Sequence, residues 1–106
     1  MEKLLEVTRE LRNPETGCPW DREQTFSSIS YCAIEEAYEV VEAIEEKDYE
    51  LLKNELGDLL FQVIFHSEMA KEMNLFDFDD VVNAISEKLI SRHPHVFGGA
   101  TIDDVK

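Results

Sequence analysis

The sequence has few of the residues that cross-link a chain or interrupt its helices. Its 106 residues include 2 cysteines, 3 prolines and 4 glycines. Cys18 and Cys32 lack metal-type spacing and do not indicate a disulfide framework, so reduced thiols are expected. No apolar run approaches the roughly 20 residues that span a bilayer, and the N-terminus lacks the apolar segment of a signal peptide. We therefore expect a soluble, cytoplasmic protein that has no membrane partner.

Basic residues are also scarce. Ten lysines and arginines are outnumbered by 24 acidic residues, which gives a formal net charge of −14. A surface of this sign repels nucleic acid backbones and anionic membranes, so no nucleic acid polymer is expected as a partner. If the substrate is an anion such as a nucleotide, bound divalent cations have to invert the local field.

Strand-like alternation and a fixed internal repeat are absent, whereas apolar residues recur at helical spacing along most of the chain. The sequence predicts one domain over residues 1–106, with an all-α fold of the antiparallel four-helix bundle type. The first three predicted helices cover approximately Met1–Arg12, Ser27–Lys47 and Tyr49–Met73. The fourth carries apolar residues from Val81 to Ile90 and ends at His93-Pro94. The third helix should be the most buried because it is apolar over a wide arc.

The connections hold residues that start and stop helices. Residues 13–26 contain two prolines and a glycine and are expected to form an ordered loop, with Trp20 buried as its anchor. The expected N-caps are Ser27 or Ser28, then Asp48, then Asp79 or Asp80. His93 and His95 flank a proline that ends the fourth helix, and we interpret them as turn residues rather than metal ligands. Residues 98–106 are expected to be a flexible tail.

Two pairs of carboxylates, each spaced by three residues, lie on the second and third predicted helices. The pairs are Glu36 with Glu39 and Glu55 with Asp58. Residues three apart lie about 60° apart around a helix axis, so the members of a pair project together. None has a lysine or arginine four residues later, and they share their helix faces with apolar residues. Because a buried carboxylate is unfavourable unless it is protonated, paired or bound to metal, we interpret the four as metal ligands.

Mg²⁺ is the expected ion and Mn²⁺ the alternative, because both prefer oxygen ligands and keep several waters. Four carboxylates suit one or two such ions. A di-iron bundle requires Glu-x-x-His on two helices, but His66, the only histidine in the predicted bundle helices, follows Val63. The purely structural alternative is that these acids solvate the helices. Gly57, between Glu55 and Asp58, is unfavourable inside a helix, and close approach of another helix or a ligand would explain it.

The chain resembles the MazG nucleoside triphosphate pyrophosphohydrolases, a family marked by E-E-x-x-E followed after a spacer by E-x-x-D. Here these motifs are Glu35-Glu36-Ala37-Tyr38-Glu39 and Glu55-Leu56-Gly57-Asp58. The resemblance covers nearly the whole chain, through GCPWD at 17–21, QTF at 24–26, ELGDLLFQV at 55–63 and KLISRHPHVF at 88–97. These segments in this order are more specific than the acidic pattern alone.

The resemblance implies Mg²⁺-dependent cleavage of a nucleoside triphosphate between its α- and β-phosphates, which gives a nucleoside monophosphate and pyrophosphate. The implied metal ligands are Glu36, Glu39, Glu55 and Asp58. Lys88 and Arg92, one turn apart on the fourth helix, match family positions that contact the triphosphate. Their structural alternative is to favour the dipole at the C-terminal end of that helix. Glu35 is a candidate to orient or deprotonate the attacking water.

Members of this family usually continue past the HPHVF segment, and many carry a second, similar domain. The chain is therefore a short member, a truncated form or the equivalent of an N-terminal domain. The first hypothesis is a house-cleaning enzyme that removes non-standard or surplus triphosphates. It would act as a homodimer or larger oligomer. The apolar residues of the third helix extend further around it than the other three helices of the bundle need to cover. These residues are Leu59, Phe61, Ile64 and Phe65. The alternative is a catalytically weak module for oligomerisation or for interaction with a catalytic domain.

Overall fold

The computed structural model describes residues 1–97, which form six α-helices and no strand. In chain order the helices are α1 (Glu2–Leu11), α2 (Pro19–Arg22), α3 (Phe26–Glu46), α4 (Tyr49–Glu72), α5 (Phe78–Arg92) and α6 (Pro94–Phe97). The predicted all-α fold is confirmed, and α1, α3, α4 and α5 correspond to the four predicted helices. The predicted flexible tail at 98–106 lies outside the described residues.

The N-terminal ends of the long helices are fixed by side-chain caps. Asp48 caps α4 as predicted, and its Oδ1 accepts a hydrogen bond from the Leu51 backbone N at 3.1 Å. The other two predicted caps are wrong by two or three residues. The observed caps are Thr25 for α3 and Asp77 for α5. Each forms a reciprocal capping box, in which Ser28 or Asp80 bonds back to the backbone N of the cap.

The predicted loop over residues 13–26 contains the short helix α2, which the two prolines and the glycine did not indicate. A Cβ built on Gly17 would lie 2.4 Å from the Leu11 carbonyl oxygen, so a larger residue does not fit in this turn. Trp20 is 59% exposed, and the prediction that it is buried as the loop's anchor is therefore wrong. Its place on a four-residue helix turns it away from the core.

The core lies between the antiparallel helices α3 and α4. Its main cluster consists of Ile29, Phe65 and Met69, with Phe26 and Phe61 partly buried against it. The phenyl ring of Phe26 stacks on the imidazole of His66 at 6.0 Å between centroids, which places the start of α3 beside the later turns of α4. The prediction that this helix is the most buried is confirmed, because it carries five of the eight buried residues.

Arg12 replaces Trp20 as the anchor of the N-terminal connection. Its guanidinium donates to the backbone oxygens of Asp21 and Gln24, both at 2.8 Å, and to both carboxylate oxygens of Glu72 at the end of α4. It also lies over the Phe65 ring at 5.5 Å from the centroid. Because its side chain is only 10% exposed, one residue fastens the connection to the core.

Much apolar surface stays exposed in this single chain. The radius of gyration is 17.2 Å, whereas a compact domain of 100 residues has about 13 Å. Helix α5 has no buried residue. Ile64 and Phe65 are buried within the chain, so they do not form the free apolar arc predicted for α4. That arc is formed instead by Leu56, Leu60 and Val63, at 49%, 36% and 40% exposure.

A search of the described helices for a membrane-spanning segment, 18 residues or longer and sufficiently apolar, found none.

Replacing Arg12 with Met should lower the free energy of unfolding by about 2 kcal/mol. The apolar stem is kept, whereas the part-buried hydrogen bonds to two carbonyls and the ion pair with Glu72 are lost. Urea unfolding of the two proteins measures this difference. The control is Lys53→Met, which removes an ion pair with Glu50 whose side chains are 69% and 75% exposed. That change should cost less than about 0.5 kcal/mol. Equal effects of the two substitutions would contradict the role given to Arg12.

Candidate metal centre

Antiparallel packing of α3 on α4 brings three of the predicted acids together. One carboxylate oxygen each from Glu36, Glu55 and Asp58 lies within 4.8 Å of the other two. We call these three residues the acidic cluster. Glu36 comes from the middle of α3, whereas Glu55 and Asp58 come from the first half of α4. The cluster therefore depends on the register of the two longest helices.

Glu36 is the member of the cluster whose environment least suits a negative charge. Its side chain is half-buried, and its Oε2 atom is buried without a hydrogen-bond partner among the described residues. Burial and then the neighbouring charges of Asp58 and Glu55 raise the pKa of Glu36 above its ordinary value. Three carboxylates so close together repel one another, so a fully ionised cluster is unfavourable without a cation.

No lysine or arginine neutralises the cluster within residues 1–97. The ion pairs in that range are Arg12 with Glu72 and Lys53 with Glu50, and neither includes a member of the cluster. The basic residue that is missing one turn away along each helix is therefore not supplied by another described helix. An orphaned, partly buried carboxylate oxygen between two other carboxylates is a strong site for a hard cation.

The arrangement fits a divalent cation such as Mg²⁺. Oxygen ligands of an octahedral ion with bonds of about 2.1 Å lie roughly 3–4 Å from one another. The three carboxylate oxygens lie within 4.8 Å of one another, slightly further apart than such ligands. Small side-chain rotations would bring them to ligand distances. Three carboxylates also leave coordination positions for water or phosphate oxygens.

The other predicted site residues lie outside the cluster. Glu39 is exposed and is not among the three, although its charge contributes to the raised pKa of Glu36. Glu35 is exposed and points about 100° away from Glu36 around the helix axis. Lys88 and Arg92 are exposed on α5, and neither forms an ion pair with a described residue. Both cations are therefore available to an anionic ligand.

Gly57 has open space around it. A Cβ added there would meet nothing within 4 Å, so no other helix of residues 1–97 approaches it closely. Within residues 1–97, no neighbouring helix therefore explains the glycine. The explanation that a ligand requires it stays a prediction.

Gln62 is a polar residue that the sequence did not single out as functional. It lies four residues after Asp58, on the side of α4 that packs near α3, and its Oε1 atom is buried without a partner among residues 1–97. The only signal in the sequence was its spacing from Asp58, which places a polar side chain one turn further along the same face.

The comparisons with known proteins point to one family. A family model described as the MazG nucleotide pyrophosphohydrolase domain matches residues 24–97. The nucleoside triphosphate pyrophosphohydrolase of Escherichia coli (strain K12) is 51% identical over 104 residues, which are 98% of this chain and 40% of that protein. The nucleoside triphosphate pyrophosphohydrolase/pyrophosphatase MazG of Thermotoga maritima is 52% identical over 97 residues, 92% of this chain and 38% of that protein.

A solved structure shares the fold. The crystal structure of a mazG-related protein from Thermotoga maritima matches with a TM-score of 0.75 and 28% identity, over 92% of this chain and 82% of that one. By contrast, the chain spans only about 40% of the length of the two curated relatives named above.

Replacing Glu36 with Gln should stabilise the protein when no divalent cation is present. A raised pKa means that the folded state holds the proton more tightly than the unfolded state does. Stability from this group is therefore present below the ordinary glutamate pKa and is lost as the pH rises through the raised value. At pH 7 we expect the variant to gain about 0.5 kcal/mol in the free energy of unfolding, the scale of like-charge pairs on helices.

Urea unfolding in a chelating buffer between pH 4 and pH 7 checks this expectation. As the pH rises, the loss of stability from Glu36 should be present in the unchanged chain and absent in the variant. Glu87→Gln is the control, because Glu87 is exposed inside α5 and has no charged residue three or four positions away. It should follow the unchanged protein. A Glu36→Gln protein that is less stable than the unchanged chain at pH 7 would contradict the electrostatic account.

Proposed function

The chain belongs to the MazG nucleotide pyrophosphohydrolase domain family, and from that premise we propose that it is a metal-dependent nucleoside triphosphate pyrophosphohydrolase. The proposed reaction cleaves ribo- or deoxyribonucleoside triphosphates between the α- and β-phosphates and releases a monophosphate and pyrophosphate. The observation that carries the proposal is the acidic cluster, because an anionic substrate needs a cation at this position of a chain with a net charge of −14.

The proposed ligands of the cation are the acidic cluster and Glu39, which follows Glu36 by one helical turn. Mg²⁺ is the proposed ion, and Mn²⁺ has the same preference for oxygen. When bound, a divalent cation supplies charge neutralisation on the phosphates and a more acidic water. The carboxylates hold it on two rigid helices, so the phosphates are positioned by the packing of α3 on α4 rather than by a loop.

Three further residues have proposed roles around the phosphates. Lys88 and Arg92 lie one turn apart on the same side of α5 and have no ion-pair partner within residues 1–97, so they can contact the triphosphate. Glu35 precedes the cluster and is exposed, so it can accept a proton from a water that approaches the phosphates from solvent. Its direction, about 100° from Glu36, keeps it from competing for the cation.

The proposed physiological role is the removal of non-standard or surplus nucleoside triphosphates in the cytoplasm, by one helical domain over residues 1–106. The names of the two relatives support the substrate class. The second candidate function is a catalytically weak module for oligomerisation or for contact with a catalytic domain. The observation that favours it is the apolar surface exposed on α3, α4 and α5, which a partner domain could cover.

We also propose that the chain assembles as a homodimer or larger oligomer. A stripe on α3 consists of Ile34, Tyr38 and Val41, spaced four and three residues apart and 61%, 70% and 49% exposed. Further apolar residues are exposed on α4 and α5, and the rest of residues 1–97 does not cover them. Two copies with the same strong negative charge repel one another, so an apolar surface is what can hold them together.

The enzymatic proposal predicts that the intact chain, with Mg²⁺, converts at least one triphosphate of a ribo and deoxyribo panel to monophosphate and pyrophosphate. Glu36→Gln and Asp58→Asn should each lower turnover by at least about 100-fold, because each removes a charged ligand of the cation. Chromatographic identification of the products separates this cleavage from release of a diphosphate and inorganic phosphate.

Glu46→Gln is the control for turnover, since it removes the same charge from the same helix outside the cluster and should keep nearly full activity. The proposal fails if no triphosphate is cleaved while the folded chain still binds Mg²⁺. That result would instead favour the interaction module.

The assembly proposal predicts that the chain sediments as a dimer or larger species at micromolar concentration. Ile34→Lys should shift the protein towards monomer, because a desolvated ammonium in an apolar interface is unfavourable. Asn54→Lys is the control, because it adds the same charge at an exposed polar position on the side of α4 opposite Leu56. It should leave the sedimentation coefficient unchanged. A stable monomer in dilute solution would contradict the proposal.

A further inference from the structure

A largely apolar cavity opens beside the acidic cluster. It has a volume of about 310 Å³ and lies among α3, α4 and the start of α5. Most of its wall is formed by Ala33, Leu59, Val63, Phe76 and Val81, together with Gln62, His66 and Ser67. None of these lining residues carries a lysine, arginine or carboxylate, so the cavity is a poor site for phosphate and a suitable one for an uncharged flat ring.

The cavity is one helical turn from the acidic cluster on both helices. On α3, Ala33 precedes Glu36 by three residues, and on α4, Gln62 follows Asp58 by four. At 1.5 Å per residue these offsets correspond to about 4.5 and 6 Å along the helix axes. A molecule with phosphates at the cluster can therefore place its other end in the cavity, because sugar and base extend from the α-phosphate over a similar distance.

Gln62 is the polar group of this cavity that lacks a partner. Ser67 Oγ donates to the Val63 carbonyl at 2.8 Å, and His66 Nδ1 lies 2.7 Å from the Gln62 carbonyl oxygen. The Gln62 side-chain Oε1, by contrast, is buried and accepts no hydrogen bond from residues 1–97. A buried acceptor without a donor is unfavourable, and a ligand that brings an N–H group removes that penalty.

The residue as a whole is partly exposed, so its carboxamide is not locked in the core. The terminal torsion of glutamine is broad, and a rotation about it can turn Oε1 towards the cavity without moving α4. A carboxamide presents one acceptor and one donor side by side, which matches the edge of a nucleobase.

We propose that this cavity holds the nucleobase of the substrate and that Gln62 is its specificity residue, which accepts a hydrogen bond from an N–H on the base edge. This rests on the proposed function, because it assumes a triphosphate at the acidic cluster. The apolar wall packs against the faces of the base, and the carboxamide rejects a base whose edge offers no donor.

Equilibrium binding of uncleavable triphosphates tests the proposal independently of turnover. The ligands carry a methylene group between the α- and β-phosphates, and titration calorimetry is done with Mg²⁺ present. The panel contains the common bases and an abasic sugar triphosphate. For the base that binds most tightly, a matched triphosphate is added whose base lacks the edge N–H. This base is purine in place of adenine, 2-pyrimidinone in place of cytosine, 3-methyluracil in place of uracil or 1-methylhypoxanthine in place of guanine.

We expect the unchanged chain to bind the triphosphate whose base has the N–H about tenfold more tightly than the matched triphosphate without it. This ratio is the scale expected for the loss of one hydrogen bond in a buried site. In Gln62→Met this ratio should fall to about one, while Mg²⁺ alone binds as before. Lys71→Met, an exposed position on the same helix, is the control and should keep the ratio. Ala33→Leu, which fills the cavity, should weaken the binding of triphosphates that carry a base and leave the binding of the abasic triphosphate unchanged.

The outcomes distinguish the two proposals. If base-bearing and abasic triphosphates bind equally well, or if the ratio is the same in Gln62→Met, the base site is wrong while the pyrophosphohydrolase function stands. If Gln62→Met weakens the binding of Mg²⁺ and of every triphosphate equally, Gln62 acts on the acidic cluster and the specificity role is overturned. If no triphosphate binds at all, the proposed function fails and this inference fails with it.

Discussion

Repulsion among three carboxylates is the constraint on which the rest of the structure depends. Glu36, Glu55 and Asp58 are held within 4.8 Å of one another, and no basic side chain among residues 1–97 relieves their charge. A short chain with few buried residues has little stability to offset such repulsion. The cluster therefore destabilises the fold locally, and folding alone does not explain its presence. A cation that neutralises the three carboxylates would explain why they lie together.

The fold meets this constraint by placing the acids on its most firmly packed elements. Thr25 and Asp48 fix where α3 and α4 begin. The packing of Ile29 against Phe65 and Met69 sets the register of the two helices. Arg12 fastens the N-terminal connection to the far end of α4, away from the cluster. The remaining apolar surface on α3, α4 and α5 is left open, which agrees with a protein whose core is completed by another copy.

Much of this arrangement was accessible from the sequence, because helical spacing fixes which residues share a face. The fold class and the convergence of Glu36, Glu55 and Asp58 follow from that spacing. The Asp48 cap follows from the preference of aspartate for the N-cap position. The burial of Trp20 was predicted wrongly, since an aromatic residue near prolines does not reveal which way a short helix will turn it. The hydrogen bonds of Arg12 and the orphaned oxygen of Gln62 depend on tertiary contacts that periodicity does not contain.

The measurement that tests the central claim most directly is a crystal structure of the intact chain soaked with Mn²⁺, with anomalous diffraction used to locate the ion. The account predicts an anomalous peak bounded by carboxylate oxygens of Glu36, Glu55 and Asp58, at bond lengths of about 2.1–2.2 Å. A peak elsewhere, or ordered carboxylates around no ion at a saturating concentration, would contradict the claim that this cluster is a metal centre.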